Sequence, residues 1–288
     1  MSETAVLFAV LFAAFLHALW NTLVKGYGDK IVMMLTIAVV QTAIALLMIP
    51  FLGLPVPAAW PWLIAAAVPH TTYKIALAKA YELGDMSRVY PISRGLSIAI
   101  VTIASVIVLQ EDVSPVGLLG IVTIGTGVIA LSRKEGADMG HIGLRTAVLC
   151  AFAGASVALY SILDAIGVRV SLGDITLRTI ATFAAWLFVL DGLGMVLFSV
   201  FYRGHRVFAD VARTGLTGIL AGSTAFACFW IAIWAFAYAP VALVAALRET
   251  SVLFSLVLGR VVLSECISLR RACFAMLVLT GIVMLRFA

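Results

Sequence analysis

Two arginines stand inside long apolar stretches of this chain, Arg94 in the run 87–109 and Arg248 in the run 241–263. An ionisable side chain at bilayer depth costs about 2.5–3.5 kcal/mol on insertion scales, so it persists where it meets a partner, a cavity or water. A guanidinium is a planar fork of donors that matches a carboxylate or a phosphate. The chemistry such residues suit is recognition of an acidic group; the rival role is structural, with Arg248 clamped by its neighbour Glu249.

The residues around them extend the same argument. Arg94 follows Tyr90 and Pro91 in the segment Ser-Arg-Val-Tyr-Pro-Ile-Ser-Arg-Gly at 87–95. A proline there removes an intrahelical bond, so the helix is expected to start late or kink, and freed carbonyls belong in a cavity rather than in lipid. Pro69 has the same expected effect just before His70, Thr71, Thr72, Tyr73 and Lys74. Five consecutive polar-capable residues point in several directions, so some face protein or water; Tyr73 and Lys74 are candidates to line a site, with an internal ion pair as the alternative for Lys74. His17 and Trp20 are three apart and share a helix face, with Asn21 beside them; both are candidates to contact a substrate, and His17 is a hydrogen-bonded core residue or a proton carrier. Asp191 and Glu249 are the candidate proton carriers; Asp191 is equally suited to pair with a base, and His70 and Asp164 lie nearer the ends of their runs. Phe226, Trp230 and Trp234 recur at four-residue spacing, a stripe that packs or, at Trp230, contacts a ligand. No HExxH, GxSxG, Walker or metal-ligand pattern occurs. No enzyme activity, cofactor or metal is therefore expected.

The elements that must position these residues follow from composition. The chain is 64% hydrophobic and 11% charged, with mean hydropathy +1.16, whereas soluble domains are about 45–50% apolar and about 25% charged. A 288-residue globule cannot hide that much apolar surface. The expectation is an all-α membrane protein of ten transmembrane helices, at 4–25, 31–52, 58–81, 87–109, 115–132, 141–168, 173–202, 215–238, 241–263 and 267–287. The net charge of +5 sits in short loops, where it orients helices rather than attracting nucleic acid. Cys150, Cys228, Cys266 and Cys273 show no CxxC pairing and read as inert core thiols. The glycines of the fifth run, among them Gly117, Gly120, Gly125 and Gly127, form a helix-packing face.

The runs divide into two sets of five, 1–135 and 136–288. A shift of about 154 residues places Arg248 on Arg94, Glu265 on Glu111, Ser268 on Ser114 and Gly281 on Gly127. Ala18-Leu19-Trp20-Asn21 aligns with Ala158-Leu159-Tyr160-Ser161. Five is odd, so the second copy enters from the opposite face and the copies are inverted about an axis in the membrane plane. In such copies Arg94 and Arg248 approach a shared central cavity from opposite sides. With the amino terminus inside, cytoplasmic loops hold few basic residues, Arg169, Arg178 and Arg286; the loop charges favour both termini outside.

This pattern resembles the drug/metabolite transporter superfamily in its EamA-type branch. The resemblance covers nearly the whole chain. It rests on His17-Ala-Leu-Trp-Asn21 followed by Lys25, on Tyr81-Glu-Leu-Gly-Asp-Met-Ser-Arg-Val-Tyr-Pro91 with Arg94-Gly95, and on the Glu-x-x-Ser loops at Glu111 and Glu265. The second copy departs from the first at Ala239-Pro240, and no proline matches Pro91. The resemblance implies a multi-pass carrier in the bacterial inner membrane, in contact with lipids and moving small metabolites, with amino acid exporters among its kin; a monomer is expected. It implies a cavity lined by Tyr73, Tyr90, Arg94, Trp230, Arg248 and Glu249, and both termini in the cytoplasm. Alternative functions are a carrier of phosphorylated or nucleotide-linked solutes, and a membrane-embedded lipid-handling enzyme or subunit.

Overall fold

The computed structural model describes residues 3–83, 86–131, 143–170, 176–262 and 269–286. In chain order these form α1 (Glu3–Gly26), α2 (Lys30–Leu52), a 3₁₀ turn (Pro57–Ala59), α3 (Trp60–Leu83), α4 (Met86–Ile107), α5 (Pro115–Leu131), α6 (Leu144–Val170), α7 (Leu177–Arg203), α8 (Val207–Arg213), α9 (Gly215–Phe236), α10 (Val241–Arg248), α11 (Ser251–Val262) and α12 (Leu269–Arg286). No strand occurs among the described residues. Helix is the outcome expected where side chains offer the backbone no polar partner, because each N–H and C=O then bonds within its own segment. By length and composition α1, α2, α6, α7 and α9 can cross a membrane. α3 matches them in length but carries the polar run His70–Lys74.

The surface of the bundle is apolar and its interior holds the polar groups. Phe51, Leu144, Phe201 and Leu269 are among many large apolar side chains on the outside, while His17, Lys74, Arg94, Asp164, Asp191, Arg248 and Glu249 are all buried. A soluble monomer does not expose apolar patches of that extent.

Local chemistry fixes the helix ends. Asp29 caps α2 by accepting from the Val32 N–H at 3.0 Å, and Thr176 forms a capping box with Thr179 at the start of α7. α2 and α7 both end on a glycine in the left-handed region, Gly53 at φ +84° and Gly204 at φ +71°, whose N–H groups return to the carbonyls of Ile49 and Val200.

Two helix pairs form the seams of the molecule. α2 lies against α7: Asp29 pairs with Arg203 at one end, Thr42 donates to the Phe188 carbonyl at 3.1 Å in the middle, and Trp186 donates to the Gly53 carbonyl at 3.0 Å at the other end. The pair is therefore antiparallel. α5 lies against α12, where a Cβ on Gly127 would meet Val278 at 2.6 Å and one on Gly281 would meet Ile124 at 2.7 Å. That pair is antiparallel too, and the glycine face expected on the fifth run is a packing face at Gly127. Around the seams α1 packs on α9 and α11, α3 on α6 and α7, α4 on α6, and α2 on α9.

Two expectations are corrected. The run 241–263 is not one helix: it breaks at Glu249–Thr250 into α10 and α11. Bonds there tighten to i→i+3, with Thr250 N–H to the Leu247 carbonyl at 3.1 Å and Val252 N–H to the Glu249 carbonyl at 3.1 Å. The cause is the polar run Arg248-Glu-Thr-Ser251, in which the Thr250 hydroxyl takes the Leu247 carbonyl at 2.7 Å. Of the late start or kink expected at Pro91 and Pro69, the late start does not occur: α4 begins at Met86, ahead of Pro91, and the helical assignment of α3 continues through Pro69. The Glu265–Ser268 loop lies outside the described residues.

Candidate functional site

Six helices bring polar and aromatic side chains to one buried cluster: His17 and Trp20 from α1, His70 and Tyr73 from α3, Arg94 from α4, Tyr160 and Asp164 from α6, Cys228 and Phe229 from α9, and Arg248 from α10, with Glu249 from the break that follows it. Each is at most 4% exposed, so the cluster is closed to both faces.

The two arginines do different work. Arg94 Nη1 pairs with Glu249 Oε1 at 3.1 Å, and its Nη2 donates to His17 Nε2 at 2.6 Å. A guanidinium only donates, so Nε2 accepts and the ring proton of His17 sits on Nδ1. That nitrogen faces Cys228 Sγ at 3.6 Å. The thiol therefore meets a donor rather than a base, and the Cys228–His17 contact is not a nucleophile dyad. Arg248 lies 5.3 Å from the centroid of the Phe229 ring, a cation–π seat. It does not pair with Glu249, whose partner is Arg94.

Aromatic rings wall the cluster. His17 meets Trp20 edge-on at 4.9 Å and Phe229 at 6.2 Å. Tyr160 stacks on His70 at 4.1 Å and meets Tyr73 at 5.9 Å. His70 Nε2 also lies 2.9 Å from Asp164 Oδ2.

Several buried polar atoms of this cluster have no hydrogen-bond partner among the described residues: Trp20 Nε1, Tyr160 Oη, Asp164 Oδ1, Arg248 Nε and Nη2, and Glu249 Oε2. An unmet buried polar group costs about 1–3 kcal/mol, so such atoms rarely collect without a reason. The set holds donors on Arg248 and acceptors on Glu249 and Asp164, framed by aromatic faces.

Other expected site residues lie elsewhere. Lys74 is engaged by Asp191 of α7, with Gln41 of α2 accepting from it at 3.3 Å and Thr71 donating to Asp191 at 3.1 Å. This second network ties α2, α3 and α7 together, and it gives Asp191 the role of partner to a base. Trp230 is half-buried on α9 beside Phe229, with its Nε1 unpartnered among the described residues. Phe226 packs on Phe188 and Trp234 on Tyr238, so the stripe is largely a packing face. The side chain of Tyr90 lies outside the described residues. Cys150 and Cys228 are buried and Cys273 is exposed; Cys266 lies outside the described residues.

Sequence reasoning left Tyr160, Cys228 and Phe229 out of the site and gave no joint role to His70 and Asp164. The alignment of Tyr160 with Trp20 was the available signal for Tyr160; the others are neighbours only in the folded chain.

No family model and no curated protein sequence matches the chain. A solved structure described only as "Crystal structure of protein" aligns with 98% of this chain and 95% of its own at 16% identity, with a TM-score of 0.71. This likeness concerns the fold alone and extends from end to end.

Proposed function

We propose that this chain is a secondary transporter of a small zwitterionic metabolite, an amino acid in the first instance, of the EamA kind in a bacterial inner membrane. The observation that carries the reading is the set of unpaired buried atoms: a carboxylate fits the Arg248 fork, and an ammonium group fits Glu249 Oε2 and Asp164 Oδ1. Trp20, Tyr160 and Phe229 offer aromatic faces to an apolar side chain.

Ten crossings in two inverted copies are the architecture this function requires, and the packing supports them. Exchange α1 to α5 for α6, α7, α9, α10–α11 and α12: the α1–α9 contact becomes α6–α3, and α2–α9 becomes α7–α3. The α2–α7 and α5–α12 seams map onto themselves, and both are antiparallel, as an axis in the membrane plane requires. Asn21 and Ser161, partners in the sequence alignment, each bond the carbonyl four residues back, at 2.8 and 2.7 Å. The break at Glu249–Thr250 supports a solute site as well, because carriers place discontinuous helices at their midplane sites.

A phosphorylated solute is the weaker reading. Arg94 is already committed to Glu249 and His17, so among the described residues of the cluster only Arg248, through Nε and Nη2, is left to meet a multiply charged anion, with the Glu249 and Asp164 carboxylates in the same cluster. Purified protein in liposomes tests the choice with a panel of radiolabelled amino acids and sugar phosphates. Saturable amino acid uptake is expected, reduced at least tenfold by Arg248→Ala in a variant that stays monodisperse. Uptake of the phosphates alone, or full amino acid uptake by Arg248→Ala, overturns the reading. Repeating the assay with an imposed pH gradient decides whether a proton accompanies the solute.

A further inference from the structure

We infer that Glu111 and Arg169 form the gate that closes the central cluster toward one face of the molecule, with α10 as the lever between gate and site. The inference rests on the transport reading above, and it assigns the moving part of that site.

The carboxylate of Glu111 gathers three elements. It follows Gln110, a non-glycine residue in the left-handed region at φ +52°, and its own N–H closes the end of α4 on the Ser105 carbonyl at 3.1 Å. This turn aims the side chain across the bundle. Glu111 Oε1 accepts from Arg169 Nη2 at the end of α6, at 2.6 Å. Glu111 Oε2 accepts from Ser105 Oγ and from the Val241 N–H, the first residue of α10, at 2.7 Å. A carboxylate at that position meets the positive end of the helix. Arg169 completes the knot by donating to the Phe236 carbonyl at 3.1 Å and the Ala239 carbonyl at 3.2 Å, past the end of α9.

The knot therefore holds the same-side ends of α4, α6, α9 and α10. These helices carry Arg94, Tyr160, Asp164, Cys228, Phe229 and Arg248, and α10 ends at Glu249, so they bring in most of the cluster. α10 is eight residues long, so the knot lies about 10 Å along a rigid helix from Arg248. At its far end the chain hinges at Glu249–Thr250. Loosening the knot frees one end of a lever whose other end holds the solute-binding charges. The knot is polar, and the Arg169 side chain is 35% exposed. Water can take over its hydrogen bonds, which apolar packing would not permit so readily. At the opposite face the Asp29–Arg203 pair ties α2 to α7, neither of which contributes to the cluster.

Cys228 is a native reporter, since it is buried in the cluster beside His17 and about 12 Å along α9 from the knot. In a background with Cys150→Ala, Cys266→Ser and Cys273→Ser, its rate of modification by a charged, membrane-impermeant methanethiosulfonate is measured in right-side-out and inside-out vesicles. Asp112→Cys, in the Glu111 loop, marks which side bears the knot. The parent is expected to react slowly from both sides. Arg169→Ala and Glu111→Ala are expected to react at least tenfold faster from the marked side alone, and Glu111→Gln, which keeps an acceptor for the Val241 N–H, by an intermediate factor. Should Glu111→Ala not fold, Arg169→Ala carries the test, because it leaves the cap of α10 in place. Unchanged rates in folded variants overturn the inference, and so does equal acceleration from both sides, which marks general loosening. Labelling needs no transported solute, so this result stands apart from the outcome of the uptake assay.

Discussion

Arg94 and Arg248 are matched in the sequence and unlike in the structure. Arg94 is a member of a buried ion pair, whereas Arg248 rests on an aromatic ring with two of its nitrogens unengaged among the described residues. Removing one partner of a buried pair leaves an uncompensated charge, at a cost of about 3–5 kcal/mol. Arg94→Ala is therefore expected to lower thermal stability in detergent strongly, and the double variant Arg94→Leu with Glu249→Leu to regain much of the loss. Arg248→Ala removes a charge without stranding a bonded carboxylate, so its melting temperature is expected to stay nearer the parent value. Equal melting temperatures for Arg94→Ala and Arg248→Ala count against this division of roles.

The helices obey the chemistry of their seams. α5 and α12 approach closely because Gly127 and Gly281 lack side chains where the partner passes. The two positions are not equally tolerant. A Cβ at Gly127 meets the Val278 side chain at 2.6 Å, whereas one at Gly281 meets the Gly120 carbonyl at 2.8 Å as well as Ile124. A side chain can turn aside and a helix backbone cannot. Overpacking costs about 1–3 kcal/mol, and Gly281→Ala is expected at the upper end with Gly127→Ala below it. Thermal unfolding of the two variants in one detergent checks the order; the reverse order contradicts the packing argument. α10 and α11 add a different rule, since their break comes from a run of polar residues and not from proline or glycine.

Across the molecule, apolar side chains face out and polar ones meet inside, with polar ties at the helix ends. The Asp29–Arg203 tie is accessible to pH. Burial pushes the Asp29 carboxyl up, but the hydrogen bond from Arg203, the Val32 N–H and the charge of Arg203 outweigh it and hold the group below its ordinary 3.8. A carboxyl lowered in the folded state contributes stability that is complete above its unfolded value and lost as pH falls through the folded one. The difference in melting temperature between the parent and Asp29→Asn is thus expected to be constant from about pH 7 to about pH 5 and to shrink below about pH 4. A difference that widens on acidification contradicts the assignment.

The sequence by itself determined the all-helical character of the described residues, the bounds of most of the long helices to within a few residues (α8 and the split of 241–263 excepted) and the glycine seam at Gly127, because apolar length and helix period are local properties. It also singled out His17, Trp20, Arg94, Arg248 and Glu249, since a charged or polar group within an apolar run is conspicuous from its neighbours alone. Only the tertiary structure decided that Glu249 belongs to Arg94, that Lys74 belongs to Asp191, and that His70, Tyr160 and Asp164 meet. Those partners are far apart in the chain, and local pattern carries no information about which helix faces which. The break at Glu249 escaped the sequence for the same reason: a polar run interrupts a helix only where tertiary neighbours, here Arg94 for Glu249, supply the contacts that lipid denies.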